Sequence, residues 1–192
     1  SVSLVGGITF QKNFYESLRA SSQDVVHNSL EENALGSGSV YNQPASSKTE
    51  WSLVSYLGRV NYNFNEKYLL SLNGRIDGSS RFGENNKYAF FPSGALAWRA
   101  IEEDFIQNLN IFSNLKARVS YGVTGNQEIG LYNSLPTLTN TTYTIGRTLA
   151  TGFYPNSIPN PNLRWEKTSQ FDFGLDFGFF DERLRFTTDY YF

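Results

Sequence analysis

The feature that most constrains this fold is an alternation of apolar and polar residues that is sustained over stretches of nine or more residues. In residues 56–64, Tyr, Gly, Val, Tyr and Phe alternate with Leu, Arg, Asn and Asn. The same period of two recurs in residues 68–76, 115–123, 171–179 and 184–192. Successive side chains of a β-strand point to opposite sides of its sheet. The sequence therefore predicts an all-β chain whose sheet has one apolar face and one polar face.

The length of these stretches favours a membrane barrel over a soluble sandwich. Strands of globular proteins usually hold about 5–6 residues. A strand that crosses a membrane holds about 9–11 residues and alternates between lipid and lumen. The sequence therefore predicts a section of an antiparallel transmembrane β-barrel, with its apolar face toward lipid and its polar face toward the lumen.

The connections between strands predict the orientation of this barrel. Seven strands are expected, at about residues 2–10, 51–64, 67–77, 88–100, 115–124, 168–180 and 183–192. The long connections are 11–50, 78–87 and 125–167, and the tight ones are Asn65-Glu66 and Asp181-Glu182. If the strands run up and down, all long connections fall on one side, as expected of extracellular loops. The connection 101–114 falls on the periplasmic side and is longer than is typical there.

An odd number of strands is a problem for a complete barrel. Single-chain bacterial barrels have even strand numbers, and an open sheet edge is not tolerated in hydrocarbon. Either residues 125–167 hide a hairpin, around Tyr132 and 137–145, or residues 1–192 are one partial barrel domain. Both ends of the sequence lie within strand patterns and the chain has no Met, which favours the second interpretation: a section of a larger barrel.

The composition argues against several other classes of protein. The chain has no Cys, 16 basic against 18 acidic residues, and a single histidine, His27. These counts give no disulfide framework, no basic patch for nucleic acid, and no histidine cluster for a metal. The carboxylates of Glu102, Glu103 and Asp104 offer oxygen ligands for Ca²⁺, but a solvated turn is the preferred interpretation. We expect no enzymatic activity and no cofactor.

The two faces and the loops give three sets of candidate residues. The residues predicted to face lipid are Tyr62, Leu70, Leu72, Trp98, Val119, Phe171, Phe173, Leu175, Phe177 and Phe186. The residues predicted to line the lumen are Arg59, Arg75, Arg99, Lys116, Arg118, Asp172, Asp176, Arg185 and Asp189. The loop aromatics that are candidates for stacking on a ligand are Tyr41, Tyr132, Tyr143, Phe153, Tyr154 and Trp165.

Two further expectations concern particular positions. Arginine in place of Phe173 or Leu175 should cost about 2–4 kcal/mol near the membrane midplane, whereas Gly174 and Asp176 should escape that lipid penalty. In the stretch 77–83, Asp77 and Arg81 are expected to form an ion pair at the base of a loop.

Several stretches, in this order along the chain, resemble the SusC/RagA-type TonB-linked outer-membrane proteins of Bacteroidetes. The first is Ser55-Tyr56-Leu57-Gly58-Arg59-Val60-Asn61-Tyr62 with Lys67-Tyr68-Leu69-Leu70. The next three are Asp77-Gly78-Ser79-Ser80-Arg81-Phe82-Gly83, Phe91-Pro92-Ser93 and Ala97-Trp98-Arg99. The last two are Ser120-Tyr121-Gly122-Val123-Thr124-Gly125-Asn126-Gln127 and Asn160-Pro161-Asn162-Leu163-Arg164-Trp165-Glu166-Lys167-Thr168. The resemblance covers residues 51–192, and residues 1–50 share only its composition.

The resemblance implies a 22-stranded barrel with an N-terminal plug, which imports oligosaccharides or peptides across the bacterial outer membrane. It also implies two partners, a SusD-like surface lipoprotein and the TonB–ExbB–ExbD complex, the latter acting through regions this chain lacks. The chain would then be a piece of the barrel wall. Two alternatives remain: a small self-standing outer-membrane barrel of about eight strands, serving as an adhesin or structural protein, and a soluble β-sandwich that binds carbohydrate.

Overall fold

The computed structural model describes residues 1–25, 29 and 31–192. The described residues form eleven strands: β1 (Val2–Arg19), β2 (Ser22–Val25), β3 (Gly38–Tyr41), β4 (Ala45–Phe64), β5 (Tyr68–Ser79), β6 (Tyr88–Trp98), β7 (Asn114–Asn126), β8 (Leu138–Ile145), β9 (Thr148–Pro155), β10 (Glu166–Phe179) and β11 (Leu184–Tyr191). The helical elements are the 3₁₀ segments Glu31–Ser37, Glu84–Asn86 and Ala100–Glu102 and the short helix α1 (Asp104–Gln107). No helix in these described ranges is long and apolar enough to cross a membrane.

Seven of the strands form one antiparallel sheet in the order β1-β4-β5-β6-β7-β10-β11. The predicted all-β architecture and its seven wall strands are confirmed. The strands β2 and β3 pair with each other, as do β8 and β9, and neither pair joins the large sheet. The sheet is a partial barrel, since β1 and β11 are its two edges and do not pair with each other.

The strand register places residues of similar polarity opposite one another across the whole sheet. One row of directly opposed residues, which we call the apolar row, consists of Val2, Tyr62, Leu70, Leu96, Val119, Phe173 and Tyr190. The next row, which we call the polar row, consists of Ser3, Asn61, Ser71, Ala95, Ser120, Asp172 and Tyr191. Adjacent residues of a strand point to opposite faces, so the sheet has an apolar face and a mainly polar face.

The connections divide the sheet into two ends. At the turn end, β4 turns into β5 through residues 65–67, and β10 turns into β11 through residues 180–183. The segment 99–113, which contains α1, also lies there. At the loop end lie the segments 80–87 and 127–165 and the described residues of the segment 20–44, as predicted for the long connections.

Two boundaries differ from the sequence prediction. The predicted loop 11–50 is shorter in the structure, because β1 continues to Arg19 and β4 already begins at Ala45. The hairpin suspected within 125–167 exists as β8 and β9, but it stands apart from the wall. The interpretation as a small barrel closed by that hairpin is therefore not favoured, since the hairpin contributes no strand to the sheet.

The buried core lies at the loop end rather than between the strands. Phe82, Phe91 and Trp165 form its centre, and partly buried residues such as Leu53 and Leu163 pack against them. A sandwich would bury an entire sheet face against a second sheet. The apolar face here has no such cover among the described residues, and Phe173 in its middle remains 41% exposed. The interpretation as a soluble sandwich is therefore not favoured.

Candidate functional site

The loop-end core brings together stretches that are far apart in the sequence. Phe82 follows β5, Phe91 lies in β6, and Trp165 directly precedes β10. The ring centroids of Phe82 and Trp165 are 4.8 Å apart, and those of Phe91 and Trp165 are 5.3 Å apart in an edge-to-face arrangement. The indole N–H of Trp165 donates a hydrogen bond of 3.0 Å to the Lys87 carbonyl. Such aromatic pairs contribute about 0.5–1.5 kcal/mol each beyond burial, so this cluster ties the loop-end segments 80–87 and 127–165 to β6.

Two glycines permit the close approach of these loops. A Cβ atom on Gly83 would lie 2.0 Å from the carbonyl oxygen of Pro161, which is backbone and not easily displaced. A Cβ atom on Gly125 would lie 2.2 Å from the ring of Phe91. The Gly83 amide also donates to the Leu163 carbonyl at 3.2 Å. The loop after β5 and the segment before β10 are therefore in direct backbone contact.

Arg81 connects this core to the next loop. Its guanidinium lies over the ring of Trp51, with the Cζ atom 4.6 Å from the ring centroid. It donates to the carbonyls of Gln127 and Ile129 at 3.3 and 3.1 Å and forms an ion pair with Glu128. The expected ion pair between Asp77 and Arg81 is therefore wrong. Asp77 pairs instead with Arg75, which lies two residues earlier on β5 and so points to the same face of the sheet.

Arg75 is the centre of the polar face near the loop end. Its Nε donates to the Asp77 carboxylate at 2.6 Å, and its guanidinium also donates to the Ser55 hydroxyl at 3.1 Å. Ser55 is fully buried and Asp77 nearly so. Together with Arg59 and Phe91, Arg75 lines a concave depression of about 680 Å³ on the polar face. The depression combines two guanidinium groups, a carboxylate and an aromatic ring.

A second network of charges lies on the polar face near its β11 edge. Arg118 donates to both oxygens of Asp176, at 3.0 and 3.1 Å, and to Asp189 at 3.0 Å. The hydroxyl of Thr187 also donates to Asp176, at 3.1 Å. A carboxylate held by two parallel N–H groups of arginine is a geometrically specific pair. The network therefore clamps β7, β10 and β11 together on this face.

The predicted lumen residues share the polar face, but not all lie in its middle. Asp172 accepts hydrogen bonds from Ser120 and Gln170, and Lys116 lies opposite Asp176 in the register. Two arginines lie at the turn end. Arg99 pairs with Glu66 and Glu102. Arg185 pairs with Glu182. The ten residues predicted to face lipid all share the face of the apolar row.

The aromatic ligand candidates differ in how much surface they offer. Trp165 is 7% exposed and is committed to the core described above. The hydroxyl of Tyr132 binds the backbone of Glu50. The candidates with well-exposed rings are Tyr41, Tyr143, Phe153 and Tyr154. The last three belong to the β8–β9 hairpin, where their rings are available to a molecule at the loop end.

A further cluster lies at the turn end, around Glu103. Its carboxylate accepts hydrogen bonds from the Tyr68 hydroxyl, the Lys67 ammonium and the Trp98 indole at 2.9, 3.1 and 3.3 Å. These donors hold the pKa of Glu103 below its ordinary value of 4.5. The same contact raises the pKa of Lys67. Since Glu103 has these donors and Glu102 pairs with Arg99, two of the three carboxylates considered for Ca²⁺ are already bound by side chains.

Sequence reasoning missed Phe82, Phe91 and Glu103 as structural centres, and it assigned Arg81 the wrong partner. Phe82, Phe91 and Arg81 lie within stretches that carry the family resemblance, so the recurrence of those stretches was the available signal. The sequence contained no signal for the structural role of Glu103, because Lys67, Tyr68 and Trp98 come together around it only when β5 and β6 pair. His27, the single histidine, lies outside the described residues.

Comparisons with known proteins agree with this geometry. The family described as TonB dependent receptor-like, beta-barrel matches residues 3–192. TonB-dependent receptor P3 of Formosa agariphila is 41% identical over 191 residues, which cover 100% of this chain and 19% of that protein. TonB-dependent receptor SusC of Bacteroides thetaiotaomicron is 43% identical over 152 residues, covering 75% of this chain and 15% of SusC.

A solved structure gives the same result. The structure of the RagAB peptide transporter superimposes with a TM-score of 0.87 at 34% identity, and the match covers 99% of this chain and 21% of that one. The chain thus spans about a fifth of the length of such relatives. Its sheet, its register and its sequence together show that the chain belongs to the TonB-dependent receptor β-barrel family, with relatives that include SusC.

Proposed function

We propose that this chain forms part of the wall of an outer-membrane, TonB-dependent nutrient importer. In this proposal the apolar face meets lipid and the polar face lines the lumen. The observation that carries it is the apolar row, in which all seven wall strands contribute an apolar or aromatic residue at the same level. A lipid-facing band of this kind is what a transmembrane barrel requires.

We infer that the cargo is an oligosaccharide or a peptide and that a SusD-like lipoprotein covers the loop end. The relatives support this inference, since one is named SusC and a similar solved structure is a peptide transporter. The exposed rings of Tyr41, Tyr143, Phe153 and Tyr154 are the candidate contacts for cargo or lipoprotein. The TonB–ExbB–ExbD complex would supply energy through parts of the protein outside residues 1–192. The proposed role of the protein is transport, with no catalytic step.

The test is a pair of arginine substitutions on β10 in the full-length protein. Phe173→Arg places a charge in the apolar row and should cost about 2–4 kcal/mol if it lies near the membrane midplane. The measurement is the amount of folded barrel in the outer membrane, scored by heat-modifiable migration in gels. We expect a clear loss of the folded form.

The matched control is Gln170→Arg, on the polar face of the same strand. Gln170 is exposed and donates to Asp172, a bond that arginine is able to replace. Gly174 is unsuitable as a control, since a Cβ there would lie 2.5 Å from Asp189 and 2.8 Å from Arg118. Asp176 is unsuitable because it is the partner of Arg118. Equal assembly of the Phe173→Arg and Gln170→Arg proteins would overturn the lipid assignment.

A further inference from the structure

The segment 99–113, which we call the border segment, is too long for a simple turn between adjacent strands. It joins β6 to β7 at the turn end and contains the 3₁₀ segment Ala100–Glu102 and helix α1. The neighbouring connections at that end have only three or four residues. Turns on the periplasmic side of membrane barrels are typically short. The extra length therefore calls for a physical explanation.

The beginning of the border segment is attached to the apolar face. Glu103 accepts hydrogen bonds from the Tyr68 hydroxyl and the Trp98 indole. Tyr68 and Trp98 are directly opposed on β5 and β6, on the same face as the apolar row. The border segment thus starts along the outer rim of the sheet, on its apolar side.

The end of the border segment is attached to the same face, on a different strand, β10. The ring of Phe112 lies 5.3 Å from that of Phe179 and 6.4 Å from that of Phe177, measured between centroids. Both phenylalanines belong to the apolar face of β10. The Ser113 amide also donates to the Gly178 carbonyl at 2.8 Å. The segment therefore runs along the rim from β5 and β6 to β10.

Between these two attachments the border segment exposes large apolar side chains. Phe105, Leu109 and Ile111 are 62%, 52% and 56% exposed. Asp104, Gln107, Asn108 and Asn110 alternate with them along the chain. A segment with apolar and strongly polar residues, bordered by Tyr and Trp, is typical of a membrane–water interface. The attachments of Glu103 and Phe112 on either side place this stretch beside the apolar face of the sheet.

We propose that the border segment is an interfacial anchor that inserts Phe105, Leu109 and Ile111 among the phospholipids of the leaflet at the turn end. The inference rests on the proposed lipid assignment of the apolar face. Glu103 has a positioning role, because it fixes the start of the segment against Tyr68 and Trp98 at the rim of the apolar face. The length of the connection follows, since a short turn between β6 and β7 does not reach Tyr68 on β5 and Phe179 on β10.

The test uses spin labels in the full-length protein, reconstituted in phosphatidylcholine vesicles. The chain has no Cys, so a single cysteine is introduced at a time after any cysteine elsewhere in the protein is replaced by serine. The variants are Phe105→Cys, Leu109→Cys and Ile111→Cys. The measurement compares relaxation by oxygen, which concentrates in lipid, with relaxation by a water-soluble nickel chelate. We expect oxygen to dominate at all three positions.

Two control positions distinguish failure of the anchor proposal from failure of the lipid assignment on which it rests. Phe173→Cys reports on the apolar face itself, and Gln107→Cys reports on a polar neighbour within the border segment. If oxygen dominates at residue 173 but the nickel chelate dominates at 105, 109 and 111, the anchor is overturned and the lipid face stands. Protection from both reagents at the three positions also overturns the anchor, since it indicates a protein partner. Dominance of the nickel chelate at residue 173 overturns the proposed function itself.

Discussion

Glu103 shows how a single carboxylate stabilises the rim of the sheet. It accepts hydrogen bonds from residues of β5, of β6 and of the turn between β4 and β5. All three donors favour the ionised form, which is why the pKa of Glu103 is lowered and that of Lys67 is raised. Hydrogen bonds to a charged group are stronger than neutral ones. This residue therefore makes the local stability dependent on pH.

The sign of that dependence follows from the direction of the pKa shift. In the unfolded chain Glu103 becomes protonated near its ordinary pKa of 4.5, whereas in the folded protein it stays ionised to lower pH. Its contribution is therefore present above pH 4.5 and is lost as the pH falls through the folded-state pKa. We expect Glu103→Gln to lower the melting temperature of the full-length protein at neutral pH, with a smaller difference from wild type in strong acid.

The measurement is thermal unfolding in detergent, followed by circular dichroism, of wild type and Glu103→Gln across this pH range. Comparing the two proteins at each pH removes the effect of the other carboxylates. Glu84→Gln is a matched control, since Glu84 is an exposed acidic residue at the loop end. A difference between wild type and Glu103→Gln that stays constant down to low pH would contradict the assigned role.

At the scale of elements, the strands extend well past the region of apolar alternation. Residues 11–19 of β1 pair with residues 45–53 of β4. Side-chain pairs such as Glu16 with Lys48 and Ser17 with Ser47 replace the apolar contacts there. Cross-strand pairs of opposite charge stabilise antiparallel strands in water. The sequence pattern underestimated these strands because apolar alternation stops where lipid contact would stop, while backbone pairing continues.

The β8–β9 hairpin is an element that stands apart from the wall. Its two strands pair only with each other, and its two-residue turn has Gly146 at a φ of +66°. Glycine at the first turn position is typical of type II′ hairpins. At the base, the Asn156 amide donates to the Thr137 carbonyl at 2.8 Å. Removal of the hairpin would therefore break no backbone hydrogen bond between strands of the large sheet.

We expect replacement of residues 138–155 by a short glycine linker to leave the barrel assembled in the outer membrane. Because the replaced segment carries the exposed rings of Tyr143, Phe153 and Tyr154, we also expect it to reduce cargo uptake. The measurements are heat-modifiable migration for assembly and uptake of labelled oligosaccharide or peptide by cells. Loss of the folded barrel would show that the hairpin supports the wall, and unchanged uptake would exclude its rings as ligand contacts.

At the scale of the whole molecule, the two free edges of the sheet are its most consequential feature. β1 and β11 lie at the two ends of the strand order. A strand edge exposed to hydrocarbon leaves backbone N–H and C=O groups without partners, at a cost of several kcal/mol for each group. If the apolar face meets lipid, both edges require further strands. This chain covers only about a fifth of TonB-dependent receptor P3 and of the RagAB structure. That small share supports the need for further strands at both edges.

We therefore expect the native polypeptide to be several times heavier than the 21.7 kDa of this chain. The measurement is an immunoblot of outer membranes from the source cells, with an antibody against residues 138–155. Denatured samples give the polypeptide mass, and the purified chain serves as a size marker. A native band that migrates with the marker would contradict a larger barrel.

The sequence by itself determined the class of fold, the seven wall strands and the side to which the long connections belong. Those properties follow from the period of two and from the spacing of the turns, both of which are local. The sequence also carried the stretches that contain Phe82, Phe91 and Trp165. It gave no means of knowing that these three residues pack together, because the contact depends on which loops the sheet brings side by side.

Only the tertiary structure decided which polar groups pair. Arg118 was free to be matched with several carboxylates until the pairing of β7, β10 and β11 placed Asp176 and Asp189 beside it. Trp165 was a reasonable ligand candidate until its ring was found against Phe82 and Phe91. The course of the border segment along the apolar rim was equally unpredictable. Alternation specifies the face of a side chain, but only the pairing of distant strands specifies its neighbours.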